Sequence, residues 1–229
     1  MTPKHHIVFL TGAGISQESG ISTFRDTNGL WNNHKIEEVA SPEGFEKNPQ
    51  LVFDFYNARR RQLDEVKPNE AHHLIAQLET KYNVTIITQN IDDLHERAGS
   101  TNVLHLHGEL RKCRSSKNPN LIYTCTQDIK LGDLASDGNQ LRPHIVWFGE
   151  AVTEIEKAIA ITQSADLFVI VGTSMVVHPA ASLLLAVPVD VQTVYIDNNP
   201  DVEEGINLLV IKEKATAGVR ILVEECLPY

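Results

Sequence analysis

Short, nearly continuous β-branched runs separated by helical stretches constrain this chain more than any other feature. Ile7-Val8-Phe9-Leu10, Val84-Thr85-Ile86-Ile87, Leu167-Phe168-Val169-Ile170-Val171 and Val191-Gln192-Thr193-Val194-Tyr195-Ile196 read as strands covered on both faces. Helical patterns occupy 70–82, 153–164, 180–187 and 217–226. Strands alternating with helices predict βαβ units, and hence an α/β fold built on a Rossmann-like, doubly wound parallel sheet. Two segments break the rhythm. Residues 22–68 read as loop followed by helix with no clear strand, and 108–142 are polar and turn-rich. They are expected to form a smaller second lobe made of two insertions, leaving 1–21, 69–107 and 143–229 as the large domain. A ligand is then expected between the lobes, at the carboxyl ends of the strands.

Composition removes several function classes. A net charge of −10, from 20 basic and 30 acidic residues, repels phosphate backbones. The densest basic cluster, Arg59-Arg60-Arg61, is too short to reverse that, so no nucleic-acid partner is expected. No apolar run approaches about 18 residues, which argues against a membrane partner. Three cysteines are too few for a disulfide framework. The first residues, Met1 to His6, lack an apolar signal core, so a cytoplasmic location is expected. Composition says nothing of oligomeric state, and a monomer is plausible.

Directly after the first strand comes Thr11-Gly12-Ala13-Gly14-Ile15-Ser16. Glycines there let backbone N–H groups approach a pyrophosphate, but they equally suit an ordinary tight βα turn. Gln89-Asn90-Ile91-Asp92 follows another strand, where the amides can hold ribose hydroxyls or a carboxamide, or the cluster can simply open the helix after Asp93. In Val103-Leu104-His105-Leu106-His107 the period of two puts both histidines on one face. A histidine is a natural general base at neutral pH, although most strand histidines are structural.

The sequence Gly12-Ala13-Gly14-Ile15-Ser16, continuing through Ser19-Gly20-Ile21 to Thr23-Phe24-Arg25, resembles the opening signature of the sirtuins. Four more stretches resemble that family in the same order: Gln89-Asn90-Ile91-Asp92, His107-Gly108, Pro143 to Glu150, and Gly172-Thr173-Ser174. The resemblance implies an NAD-dependent protein-lysine deacylase of the bacterial, desuccinylase-like class, acting on acyl-lysine proteins or peptides. It implies that His107 is the catalytic base, with Asn90 beside it in the catalytic site. Cofactor contacts are implied for Gly12, Ala13, Gly14, Ser16, Thr23, Phe24, Arg25, Gln89, Asn90, Ile91, Asp92, Gly172, Thr173 and Ser174. Asp197, Asn198 and Asn199 would reach the adenine ribose, and Ala215 the adenine. Val146, Trp147 and Phe148, within Ile145 to Phe148, resemble the strand on which the acyl-lysine peptide pairs, although the run also suits an ordinary apolar strand.

The acyl side has its own signal. Tyr56 and Arg59 lie three apart, on one face of a helix over Gln50 to Leu63. A phenol and a guanidinium together can receive a carboxylate, although three successive arginines also suit a solvated face. Sirtuins that remove succinyl or malonyl groups carry such a Tyr-x-x-Arg with a small residue widening the pocket, a place that Ala40 fits. Acetyl-lysine is expected to be accepted as well. The chain departs from the family in one respect. Most sirtuins hold a structural zinc with two Cys-x-x-Cys pairs, whereas 108–142 contain only Cys113 and Cys125, and Cys226 is remote. No zinc is expected, leaving a degenerate zinc-ribbon-like insertion in which packing by Leu121-Ile122-Tyr123 must compensate. The same scaffold also suits an NAD glycohydrolase or ADP-ribosyltransferase, or a non-catalytic NAD-binding module. An ordinary NAD dehydrogenase is poorly supported, because the third glycine of its fingerprint is absent at Gln17.

Overall fold

The structure is a computed structural model and describes residues 5–22, 30–31, 34–174, 178, 180–200 and 202–227. The chain opens with β1 (His6–Thr11) and a short helix α1 (Ala13–Gln17). An antiparallel pair, β2 (Leu30–Trp31) and β3 (His34–Lys35), precedes α2 (Ile36–Val39), α3 (Pro42–Lys47), α4 (Pro49–Glu65) and α5 (Glu70–Leu78). Next come β4 (Asn83–Thr88), α6 (Leu94–Ala98) and β5 (Val103–His105). They are followed by β6 (Gly108–Ser115), β7 (Ile122–Thr124) and β8 (Leu141–Ile145). After α7 (Ile155–Gln163) and β9 (Leu167–Val171), a 3-10 helix at Ala180–Ala186 leads to β10 (Gln192–Ile196) and β11 (Leu208–Ile211). The last helix, α8 (Ala215–Ile221), runs into a π-helical turn at Leu222–Cys226.

Six strands form one parallel sheet in the order β5-β4-β1-β9-β10-β11. That is the doubly wound arrangement, and the order in which strands are added reverses between β1 and β9. Alternate residues of β1 feed the two sides. Ile7 and Phe9 join a core with Ala71, Ile75 and Val219, while Val8 and Leu10 join another with Ala158 and Leu183. Burying each such large side chain contributes roughly 1.5–3 kcal/mol, which is why these strands read as unbroken apolar runs.

The second sheet is antiparallel, ordered β7-β6-β8. It packs on α4 through a third core containing Val52, Tyr56, Leu63, Leu110, Ile145 and Trp147. Helix α4 starts where Asn48 accepts from Leu51 N at 3.2 Å, with Pro49 in its first turn, and stops before Pro68. β8 bonds to β6 as far as Ile145, so the smaller sheet extends past the 142/143 limit expected from the sequence. The segment 22–68 also differs from expectation, because the β2–β3 pair interrupts it. The helix expected over 180–187 is a 3-10 helix at Ala180–Ala186 rather than an α-helix.

The expected packing by Leu121-Ile122-Tyr123 is only partly found. Tyr123 packs against Phe53, Cys113 and Ile129, but Ile122 is 44% exposed. Polar clamps hold the lobe as well. Ser115 Oγ donates to Asp137 at 2.7 Å and accepts from the Lys117 and Asn118 amides. Asn57 Nδ2 donates to Ile129 O at 2.9 Å, tying α4 to the loop after β7. Among the described residues no cluster of three or more His, Cys, Asp or Glu is placed to hold a metal ion, and no helix is long and apolar enough to cross a membrane.

Candidate active site

At the switch point the turns after β1 and β9 interlock. Gly12 N donates to Val171 O at 3.0 Å, and Gly14 N to Gly172 O at 2.8 Å. A Cβ on Gly14 would lie 2.6 Å from Gly172 Cα, and one on Gly172, whose φ is +62°, would lie 2.4 Å from Ile15 N. The glycines are therefore needed first for backbone to approach backbone, a role the sequence pattern does not separate from ligand approach.

The turn after β4 locks onto this pair. Asn90 Nδ2 donates to Gly12 O at 3.1 Å and to Ser16 Oγ at 3.2 Å, and Asn90 N donates to Thr88 Oγ1. Ser16 Oγ donates to Asp92 Oδ2 at 3.0 Å, while Asp92 Oδ1 accepts from Leu94 N at 3.1 Å. Asp92 thus opens α6 as well as facing the cleft. Burial pushes its carboxyl above the usual range, against those two hydrogen bonds. Gln89 Nε2 donates to Thr173 Oγ1 at 2.9 Å, bridging β4 to β9, and Tyr195 OH donates to Thr173 O.

The two histidines of the 103–107 run separate here. His107 Nδ1 lies 3.1 Å from Gln89 O. A carbonyl can only accept, so Nδ1 carries the proton and Nε2 of the neutral ring is a free base. Burial lowers the His107 pKa, which keeps that ring neutral near pH 7. His105 contacts Asn90 O through Nδ1 at 3.0 Å and Glu96 Oε1 through Nε2 at 2.8 Å. Both its nitrogens face acceptors. Burial alone would lower its pKa, but Glu96, Glu109 and Asn90 O outweigh that and raise it. One ring is built to take a proton and the other to keep two.

A cleft of about 880 Å³ opens between the two sheets, and His107 lines it while His105 does not. Gly12, Ala13, Gly14, Ser16, Gln89 to Asp92, His107, Gly172 to Ser174, Asp197 to Asn199 and Ala215 line one end. Ala40, Tyr56, Arg59 and Val146 to Phe148 line the other. Thr23, Phe24 and Arg25 lie outside the described residues. Val146 to Phe148 are not a strand: β8 stops at Ile145, because Trp147 N turns to Glu150 Oε2 at 2.9 Å and Phe148 N to Ala40 O at 2.9 Å.

At the second end Tyr56 is fully buried, and its hydroxyl accepts from Trp147 Nε1 at 3.1 Å. Burial raises the Tyr56 pKa and lowers that of Arg59 to about 10. The Arg59 guanidinium stacks 3.6 Å above the Phe55 ring, and its Nη1 donates to Phe55 O. Arg142 and Glu150 were not singled out in the sequence, yet they support this wall. Arg142 donates to Glu150 Oε1 at 2.7 Å and Oε2 at 3.0 Å and stacks 3.2 Å from the Trp147 ring centre. Both residues flank the Ile145 to Phe148 motif, but an internal ion pair has no spacing that marks it as such.

The sequence profile of the Sir2 family matches residues 12–179 of this chain. The chain belongs to the Sir2 family. It is 53% identical to an NAD-dependent protein deacylase of Bacteroides thetaiotaomicron over 230 residues, covering 97% of this chain and 98% of that one. It is 60% identical to an NAD-dependent protein deacylase of Helicobacter pylori over 192 residues, covering 84% of each chain. A Sir2 homologue solved as an NAD complex superposes with a TM-score of 0.85 at 39% identity, covering 96% of this chain and 88% of that one. Within this sirtuin the shared fold places the interlocked glycine turns and His107 on the same cleft.

Proposed function

We propose that this sirtuin is an NAD-dependent protein-lysine deacylase that prefers acidic acyl groups such as succinyl and malonyl and also accepts acetyl. The observation that carries the reading is the placement of two chemistries in one cleft. A neutral histidine with a free Nε2, a set of ribose-sized polar groups and a desolvated guanidinium line the same cavity. The cavity and its donor set fit a dinucleotide. NAD bound there supplies a ribose carbon made reactive by a nicotinamide leaving group and a hydroxyl that accepts the acyl group. Asn90, Asp92 and Gln89 are held by Gly12, Ser16 and Thr173, so they present fixed amide and carboxyl groups to it. His107 Nε2 receives the hydroxyl proton, and the Gln89 carbonyl holds the Nδ1 proton in place throughout. Trp147 and Phe148 add apolar surface to the cleft, and excluding water there would keep acyl transfer ahead of hydrolysis.

Arg59 supports the acidic preference. Its surroundings depress its proton affinity by burial, so a carboxylate entering beside it gains a strong charge-assisted contact. Tyr56 is held by Trp147 at the same wall, and Ala40 leaves space beside it. The test is the specificity of Arg59→Met against matched succinyl-lysine and acetyl-lysine peptides. The expected result is a fall of about 100-fold or more in kcat/KM for the succinyl peptide, mostly through KM, with acetyl turnover changed only a few-fold. An equal fall for both peptides would assign Arg59 a structural role instead.

A further inference from the structure

The thiols of the smaller lobe form a pair that the active site does not use. Cys113 on β6 stands opposite Tyr123 on β7, and Cys125 N donates to Arg111 O at 2.7 Å just past the end of β7. Cys125 therefore follows Tyr123 by two residues on the same face, and the two cysteines are diagonal neighbours across the strands. Their side chains share one small apolar cluster. Both pack against Phe53 and Ile129, and neither is in a disulfide.

A buried arginine completes the cluster. Arg60 is 1% exposed, its Nε donates to Leu110 O and its Nη1 to Asn57 Oδ1. Both acceptors are neutral, and Arg60 Nη2 has no acceptor among the described residues. A guanidinium so buried needs an anion. The groups that support its charge are Cys125 first, then Cys113, then Asp128, which is already paired with Arg61. The proton states follow. In the neutral pair Cys125 S–H reaches Gln127 O at 3.3 Å. After that proton leaves, the sulfur carries a charge that Arg60 supports. The Cys113 hydrogen bond and Arg60 lower the Cys125 pKa against burial and the Asp133 carboxylate, and the same hydrogen bond raises that of Cys113.

We propose that Cys113 and Cys125 are a peroxide-reactive dithiol, a modification site in which Cys125 is the nucleophile and Cys113 the resolving thiol. The Cys125 thiolate attacks one oxygen of hydrogen peroxide; the O–O bond breaks, leaving a sulfenic acid, and the departing hydroxide takes a proton to become water. Cys113 then attacks the Cys125 sulfur. The S–S bond forms, the S–O bond breaks, and the hydroxide leaves with the Cys113 proton as a second water. Two thiols lose two electrons and the peroxide gains them. Diagonal neighbours sit about 7–8 Å apart, slightly beyond the 4.4–6.8 Å Cα range of a disulfide. Closure needs a small shift, and β7 can provide it as a three-residue strand at the edge of its sheet.

Differential alkylation of the full chain, read by peptide mass spectrometry before and after hydrogen peroxide, tests this. Brief iodoacetamide treatment at pH 7 is expected to label Cys125 about tenfold faster than the exposed Cys226, whose pKa burial and Glu225 raise. Peroxide is expected to give a Cys113–Cys125 cross-link within one chain that dithiothreitol reverses. In Cys113→Ser the reaction should stop at a dimedone-trappable sulfenic acid on Cys125. If that variant does not fold, the wild-type labelling and cross-link decide alone. Labelling of Cys125 no faster than Cys226, or cross-links only between chains through Cys226, would overturn the proposal.

Discussion

In the parallel sheet β1 buries Val8, Phe9 and Leu10 completely, between cores on both faces, and its ends are fixed by glycine turns whose backbones touch. In the antiparallel sheet β6 alternates buried and half-buried residues, breaks register between Glu109 and Cys113, and relies on a few charged and polar contacts. The first region owes its stability to many apolar contacts that no single polar group controls. The second depends on individual pairs, above all the Arg142–Glu150 ion pair with Arg114 alongside. The side of the cleft bearing Gly12, Asn90 and Gly172 therefore stands on the stiffer region, and the side bearing Tyr56, Arg59 and Trp147 on the one that single substitutions can adjust.

The largest effect is expected from Gly172→Ala. The new Cβ meets the backbone of Ile15, which cannot move without displacing α1, and φ of +62° adds strain. A loss of about 3 kcal/mol or more is expected. Urea unfolding should show it across the whole chain, and calorimetry should show NAD affinity falling with it. Glu150→Gln comes next, because it leaves Arg142, 7% exposed in its side chain, without its carboxylate. A cost of about 2–3 kcal/mol is expected, confined to the smaller lobe. Hydrogen exchange should speed in β6 and β8 and leave β1 and β4 protected. Uniform exchange across both sheets would show that the two regions unfold as one.

A smaller effect separates the two histidines by pH. The folded His105 pKa lies above 6.5, so its contribution is complete below pH 6.5 and is lost as pH rises through the raised value. The folded Glu96 pKa lies below 4.5, despite burial, because His105 holds it down; its contribution is complete above pH 4.5 and is lost as pH falls through the depressed value. Glu96→Gln should therefore cost most between pH 4.5 and 6.5 and less as pH rises further. Its size is about 1 kcal/mol, reduced by solvent screening because the Glu96 side chain is 41% exposed. Thermal melts of both proteins at pH 5.5 and pH 9 check it, and a constant gap would contradict the ion pair.

The same contrast governs what the sequence reveals. The strands β1, β4, β9 and β10 are legible because burial on both faces forces unbroken apolar runs. β11 was missed: Leu208 to Ile211 is short and follows the polar stretch Glu203 to Asn207. The smaller sheet was read only as a turn-rich insertion, since β6 carries Arg111, Lys112 and Arg114 on partly exposed positions. At the site, residues at strand ends declared themselves by position, and His105 and His107 were placed on one face. What tells them apart is Glu96 and two backbone carbonyls, which come from 9 to 18 residues away and leave no periodic trace. Arg142 and Glu150 stayed silent for the same reason.

In the proposed function the neutral His107, on the cleft that Arg59 also lines, drives acyl transfer. Mass spectrometry of wild type and His107→Ala, each incubated with NAD and matched succinyl-lysine and acetyl-lysine peptides, tests it most directly. Free lysine peptide, nicotinamide and O-acyl-ADP-ribose are expected from the wild type, faster from the succinyl peptide, with turnover down by at least about 100-fold in the variant. NAD cleaved to free ADP-ribose while both peptides stay acylated, or a variant as active as the wild type, would contradict it.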